Sequence, residues 1–327
     1  MVPREPGGGP AGGVGMRVLV TGGAGYVGCV LVEELLAAGY EARVLDSLRK
    51  PGAPLLHLLA NPRLEFQRGD VRDQRAMREA LRDADIAVHL AAVVGYPACE
   101  RDPWLAREVN VGGTANLTAA RKGSQLIVFP SSLSNYGSVP DGVCTEEMDP
   151  LPVTLYGATK LEAERLVLEA GNAVVFRPAT AFGLSPQLRL DLLFNDFVHQ
   201  AESEGRIVVY QPHFMRAFIH VRDFARAILF AIDNAERMRD QVYNLGAASL
   251  NLTKGELAAR IAERLGCRLE ISEDGQDPDK RDYRVDFNKL EALGFRTQLT
   301  IEDGIEEMAR GLHAIAIPNP YSNTSYY

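Results

Sequence analysis

Between Val18 and Asp46 the chain carries a hydrophobic strand pattern, Val18-Leu19-Val20, then the glycine turn Thr21-Gly22-Gly23-Ala24-Gly25-Tyr26-Val27-Gly28, a helix pattern, and a second strand that ends in an acid. Few folds accept that order. A strand that turns into a helix through spaced glycines presents bare backbone N–H groups at the positive end of the helix, which suits a phosphate. Gly22 would make the tight turn, Gly25 would let backbone approach a pyrophosphate, and Gly28 would let the helix pack closely on the strand. Val27, Val30, Leu31 and Leu35 fall on one helical face, and Gly39 stands where the helix should stop. The strand from Glu41 then brings Asp46 to about 20 residues past the glycines, where the ribose hydroxyls of NAD need an acceptor. The alternative is a structural turn followed by a surface aspartate.

Strand and helix patterns continue to alternate through the first half, as a doubly wound parallel sheet of the α/β class requires. Leu64–Gln67 reads as a third strand leading to Gly69-Asp70-Val71; Asp70 either caps the next helix or contacts a ligand. Ile86–Ala92 reads as an apolar strand whose small final residues leave room at the crevice edge, and His89 within it as a packed core histidine. Val93–Cys99 is expected to wall a pocket, and a helix to carry Asn110–Thr114. A further buried strand, Leu126–Phe129, ends in the hydroxyl-rich Ser131-Ser132-Leu133-Ser134-Asn135-Tyr136-Gly137. Tyr156 and Lys160, four apart at the start of a long helix running through Leu161–Ala170, share one helical face.

A chain of 327 residues exceeds one typical domain and predicts two packed lobes. With 46% hydrophobic residues it can bury a large core, while no apolar run approaches the roughly 20 residues that cross a bilayer, so no membrane partner is expected. The net charge of −8 disfavours a general nucleic-acid surface. Four dispersed cysteines show no metal-ligand spacing with the six histidines, which predicts reduced thiols, no metal and a cytoplasmic setting. Residues 1–15, with their Gly and Pro runs, read as a disordered tail, so folding should begin at Met16.

With these motifs in this order, the chain from Met16 to about Gly311 resembles the extended short-chain dehydrogenase/reductases, the nucleotide-sugar epimerase and dehydratase family. The marks are the TGGAGYVG turn, Asp46, the GDV at Gly69–Val71, HLAA at His89–Ala92, the SS and YG of Ser131–Gly137, and the YxxxK of Tyr156–Lys160. The resemblance implies a Rossmann-type NAD-binding domain over 16–180, with 218–247 packing onto it, and a smaller α/β substrate lobe from 181–217 and 248–327. It implies that NAD is held by Gly22, Gly25, Tyr26, Val27, Gly28 and Asp46, and by Asp70 and Val71 near adenine. Leu90, Ala91, Ala92, Asn110, Tyr156, Lys160 and Pro178 complete that set. For a nucleotide-diphosphate sugar it implies contacts from Ser132, Tyr156, Thr180, where relatives often carry Asn, and Asn195, with Arg216 and Arg281 on the diphosphate. A guanidinium offers the planar, permanently charged fork that a diphosphate needs, although both arginines have nearby acids, Asp223 and Asp282, for a surface ion pair. It also implies a homodimer joined by helices at Tyr156–Ala170 and around Trp104–Lys122.

Oxidising a sugar hydroxyl needs a base that is ionised near neutrality, and free tyrosine, with a pKa of about 10, is a poor one. A neighbouring ammonium favours phenolate, so Lys160 is read as the group that activates Tyr156. Ser132 is read as the hydrogen-bond partner of the reacting oxygen, with Ser131 and Ser134 as alternatives. Nucleotide-sugar 4,6-dehydratases carry an Asp-Glu pair where this chain has Leu133-Ser134, and a leucine transfers no proton. That leaves epimerisation, foremost at the sugar 4-position, with keto-sugar reduction as the alternative and a non-catalytic dinucleotide-binding regulator as a distant third.

Overall fold

The apolar runs form the centre of a seven-stranded parallel sheet: β1 (Arg17–Thr21), β2 (Glu41–Asp46), β3 (Leu64–Arg68), β4 (Ile86–His89), β5 (Leu126–Pro130), β6 (Ala173–Pro178) and β7 (Gln241–Leu245). The computed structural model describes residues 15–273 and 282–315; the start of the chain, Arg281 and the tail from Pro318 lie outside the described residues. The strand order is β7-β6-β5-β4-β1-β2-β3. Val18, Leu19 and Val20 are wholly buried because helices cover both faces, as a parallel sheet demands. The winding reverses at β1, between β2 and β4, and this opens a crevice at the carboxyl ends of the strands.

The helix Tyr26–Ala37 buries more than the single face expected of it, with Cys29, Leu31, Val32 and Leu35 all at or near zero exposure. Its outer side meets the helix Val221–Asp233, so it is sandwiched between that helix and the sheet. After Pro178 the chain builds the first part of a second lobe, returns through Val221–Asp233 and β7 to the edge of the main sheet, and then completes the second lobe. That lobe holds a sheet of Thr180–Phe182, Met215–His220 and Asn251–Thr253, with the helices Leu193–Glu204, Lys254–Leu265 and Ile301–Ala314. Phe182, Phe194 and Phe218 pack at its centre, the first two with ring centroids 4.4 Å apart.

One local expectation needs correction, and of the two readings given for Asp70 the capping one fails. β4 stops at His89, not Ala92, because the glycine turn takes β1 away after Thr21; Leu90 N still reaches Thr21 O at 3.1 Å, and Ala91 N reaches Thr21 Oγ1 at 3.2 Å. The cap of the helix Gln74–Leu81 is Asp73, whose Oδ1 accepts from Arg75 N and Ala76 N, while Asp70 turns back to pair with Arg72 at 2.7 Å. His89 is a core histidine: its ring nitrogens lie 2.7 Å from Thr21 Oγ1 and 3.2 Å from Thr114 Oγ1, and burial pulls its pKa down to about 3. All four cysteines are free thiols. Among the described residues, no cluster of His, Cys, Asp and Glu could hold a metal ion, and no helix is long and apolar enough to cross a membrane.

Candidate active site

The glycine turn leaves no space for side chains. Gly22 adopts φ +70°, and a Cβ there would sit 2.7 Å from the backbone nitrogen of Ala91. At Gly28 a Cβ would come within 2.3 Å of the Gly22 carbonyl oxygen, so the helix start lies directly on the turn. Gly25 precedes the helix in extended conformation without a side-chain cap, so nothing at that position covers the first-turn N–H groups. Asp46 is fixed at the end of β2, its carboxylate accepting from Ala24 N at 3.0 Å and Leu48 N at 2.8 Å, and burial raises its pKa. Gly22, Gly25, Tyr26, Val27, Gly28, Asp46, Asp70 and Val71 all face one long cleft.

The cleft continues past Leu90, Ala91 and Ala92 to Ser132, Tyr156 and Lys160. Thr154 caps the helix Leu155–Ala170 by accepting from Gly157 N at 3.1 Å, which puts Tyr156 in the first turn and Lys160 in the next. A Cβ on Gly157 would fall 2.7 Å from Ser134 O, so this helix start rests on the serine turn. Lys160 Nζ sits 4.1 Å from the ring centroid of Phe129, and burial pulls its pKa down to about 7 against the opposing pull of Glu164. Glu164 is itself clamped by Arg177 at 2.6 Å and by Asn135 at 3.0 Å, which ties the helix Leu155–Ala170 to β6 and the serine turn.

The three serines separate by their partners. Ser131 faces inward, accepting from Asn135 Nδ2 at 3.0 Å and donating to Lys160 O at 3.4 Å. Ser132 Oγ accepts from Ser134 N at 3.0 Å, an arrangement that uses a lone pair and leaves its proton for another acceptor. Leu133 is 2% exposed and belongs to the main core.

Other expected contacts take different places. Pro178 and Thr180 line the cleft. Asn110 lies in a π-helical turn, Glu108–Gly112, where its amide holds both backbone groups of Val93 and the hydroxyl of Thr159, so it braces the cleft wall against the helix Leu155–Ala170. Asn195 is fully buried; its amide accepts from Gly183 N and donates to Tyr26 Oη and Arg189 O, which makes it a joint between lobes. Arg216 is buried and donates to Met215 O at 3.0 Å, and it is not among the described residues lining the cleft. The cations that do line it include Lys50 and Arg189. Arg189 was missed because its place depends on the fold of the second lobe; its only sequence signal is its position just after Gly183-Leu184-Ser185-Pro186.

Residues 18–246 match the NAD dependent epimerase/dehydratase family. The low-salt glycan biosynthesis protein Agl12 of Haloferax volcanii is 31% identical over 306 residues, 89% of this chain and 96% of that protein. The structure of a UDP-glucose 4-epimerase from Thermus thermophilus in complex with NAD is similar at a TM-score of 0.80 and 27% identity, covering 92% of this chain and 100% of that one. The dTDP-glucose 4,6-dehydratase DesIV from Streptomyces venezuelae, with NAD and TYD bound, is similar at a TM-score of 0.79 and 30% identity, covering 91% and 97%.

Proposed function

The chain belongs to the NAD dependent epimerase/dehydratase family, and on that premise we propose that it epimerises a nucleotide-diphosphate sugar, at the 4-position, without net oxidation. The observation that carries the reading is the substrate end of the cleft. Among the described residues lining it, the carboxylates are Asp46 and Asp70, both at the ends of the strands that seat the dinucleotide. Leu133 and Ser134, both lining the cleft, stand where the resemblance puts the acid and base of the dehydratases, and Leu133 also packs in the core. Elimination of water then lacks a carboxyl acid and base at that position. Oxidation and re-reduction of one carbon need only the groups present.

Tyr156 takes the hydroxyl proton as the base, and returns it at the end of the cycle. Lys160, held in a site that disfavours its charge, gains from a phenolate beside it, and the phenolate gains from the ammonium in turn. Ser132 donates its proton to the reacting oxygen and restrains it as charge develops. NAD, which the glycine turn Gly22–Gly28 and Asp46 would hold, would supply the hydride acceptor and donor for the sugar carbon. Turning of the keto sugar between oxidation and re-reduction inverts the centre.

Product formed in deuterium oxide should therefore carry no deuterium on carbon, and turnover should proceed without added NADH. Mass spectrometry of the product, with and without added cofactor, checks both. Carbon-bound deuterium or stoichiometric consumption of NADH would replace the reading with an exchange mechanism or with a reductase.

Asp46 supports NAD as the preferred dinucleotide. Its fixed carboxylate can accept from ribose hydroxyls but would face a 2′-phosphate with like charge, a conflict that Arg49 and Lys50 nearby only soften. Binding titrations should give NAD the higher affinity, and tighter binding of NADP would remove this role of Asp46. A homodimer through Leu155–Ala170 and the helical segment beginning at Pro103 fits the exposed Trp104 beside it. Light scattering at micromolar concentration should report twice the mass of the chain.

A further inference from the structure

Tyr156, Lys160 and Glu164 stand at intervals of four on the helix Leu155–Ala170, so they form one row, which begins at the cleft and ends in the protein interior. Glu164 is 2% exposed. Its carboxylate is held from two sides: Arg177, itself buried, donates from Nη2 at 2.6 Å and from Nε at 3.2 Å, and Asn135 donates from Nδ2 at 3.0 Å. Both holders are fixed in their turn. Arg177 also donates to Tyr136 Oη at 2.9 Å, which donates to Asn244 Oδ1 at 2.8 Å, and Asn135 also donates to Ser131 Oγ at 3.0 Å.

Stability is a weak reason for this arrangement, because an ion pair taken out of water costs desolvation that apolar side chains of similar volume avoid. One helical turn from the carboxylate stands Lys160. Burial pulls its pKa down to about 7, and the charge of Glu164 opposes that pull. Other titratable groups facing the ammonium are uncharged near neutrality: burial pushes the Cys99 thiol on the cleft wall up to about 12 and pulls the His89 imidazole on β4 down to about 3. From β5 the neighbour is the ring of Phe129. Arg107 and Glu162 pair with each other on the exposed side of the helix. Among the described groups around Lys160, the opposing charge therefore comes from Glu164 until a phenolate forms at Tyr156.

We propose that Glu164 is a positioning residue for the reaction: held by Arg177 and Asn135 one turn behind Lys160, its carboxylate keeps Lys160 in the ammonium form that Tyr156 needs before any substrate arrives. The proposal rests on the reading of Tyr156 and Lys160 as the base and its activator, and it is independent of which sugar or carbon is turned over. Arg177 supplies the paired charge without which a buried carboxylate is costly, and its planar fork fixes where that carboxylate points.

Ionisation of Lys160 would be followed by NMR titration of the full chain carrying lysine labelled at the ε-carbon, with Lys160→Met identifying the signal. Glu164→Gln keeps the shape of the side chain, and its amide oxygen still accepts from Arg177 and Asn135. Loss of the negative charge favours the neutral amine, so Lys160 in this variant should give up its proton about one pH unit or more below the wild type. The alkaline fall of turnover in the NAD-loaded protein should begin lower in pH by a similar amount. Glu164→Gln combined with Arg177→Gln leaves no unpaired guanidinium in the interior; it should lower the Lys160 midpoint by less, and it supplies the reading should the single variant not fold. Thermal melts would verify folding. An unmoved Lys160 midpoint in either folded variant would overturn the proposal, even with slower turnover, and leave Glu164 as a structural tie. Because the titration is read without sugar or cofactor, failure of the 4-epimerase reading leaves this result unaffected.

Discussion

Tyr156→Phe is expected to lower turnover by about 10³-fold while NAD affinity stays within a few-fold of the wild type. The substitution removes one transferable proton and leaves the helix start intact, since Thr154 caps it and Gly157 seats it on the serine turn without help from the phenol oxygen. Lys160 Nζ lies over the Phe129 ring, a contact that does not involve the phenol oxygen. Ser132→Ala should cost less, because it deletes a hydrogen bond to the reacting oxygen and leaves the base in place. Steady-state rates with titrations of NAD into the cofactor-free variants check both. Near-normal turnover in Tyr156→Phe would place the base elsewhere in the cleft.

Gly28→Ala should nearly abolish NAD binding and lower the melting temperature. One methyl group would stand 2.3 Å from the Gly22 carbonyl oxygen and 2.7 Å from the Gly23 Cα, and both are backbone atoms of the turn itself. Relief requires the helix to lift off the turn, which spoils the donors that a diphosphate would meet and costs roughly 1–3 kcal/mol as overpacking. Gly23→Ala is the control. Its Cβ would meet the side-chain methyls of Val44 at 2.8 Å, and a side chain can shift where backbone cannot. Calorimetric titration with NAD and thermal melts of the two variants should therefore diverge, with Gly28→Ala the more damaged in both. Equal behaviour would mean that the turn is more compliant than its packing implies.

The parts of this architecture that could be read from sequence are those whose causes lie within a few residues of one another. The buried strands announced themselves as apolar runs, the cradle as glycine spacing, and Tyr156 with Lys160 as neighbours one helical turn apart. Boundaries were harder to read because they depend on partners. β4 ends where its neighbour departs, which the run Ile86–Ala92 does not encode, and Asp73 rather than Asp70 caps its helix because only one of two nearby acids reaches the free N–H groups. Asn110 illustrates a further limit: a π-helical turn redirects its amide to Val93 and Thr159, and nothing in the local pattern marks that turn. In the second lobe, side-chain direction is set by contacts far along the chain. Asn195 bonds to Tyr26 and to Arg189 O, and Arg189 reaches the cleft on a segment that Ser185 also ties to the first helix. The family resemblance named Asn195 and Arg216 as ligand contacts, while the cations that line the cleft include Lys50 and Arg189.

The return of the chain to the main sheet also bears on how the protein comes apart. The residues that bring it back, the helix Val221–Asp233 and β7, lie between the two parts of the chain that build the second lobe, yet they cover the first helix and complete the sheet edge. Cutting after Pro178 would strip a strand and a covering layer from the first lobe, so that half has no complete core of its own. The first lobe then cannot keep its core once the residues that bring the chain back are pulled away. Heating should yield a single cooperative transition, with calorimetric and van't Hoff enthalpies in agreement.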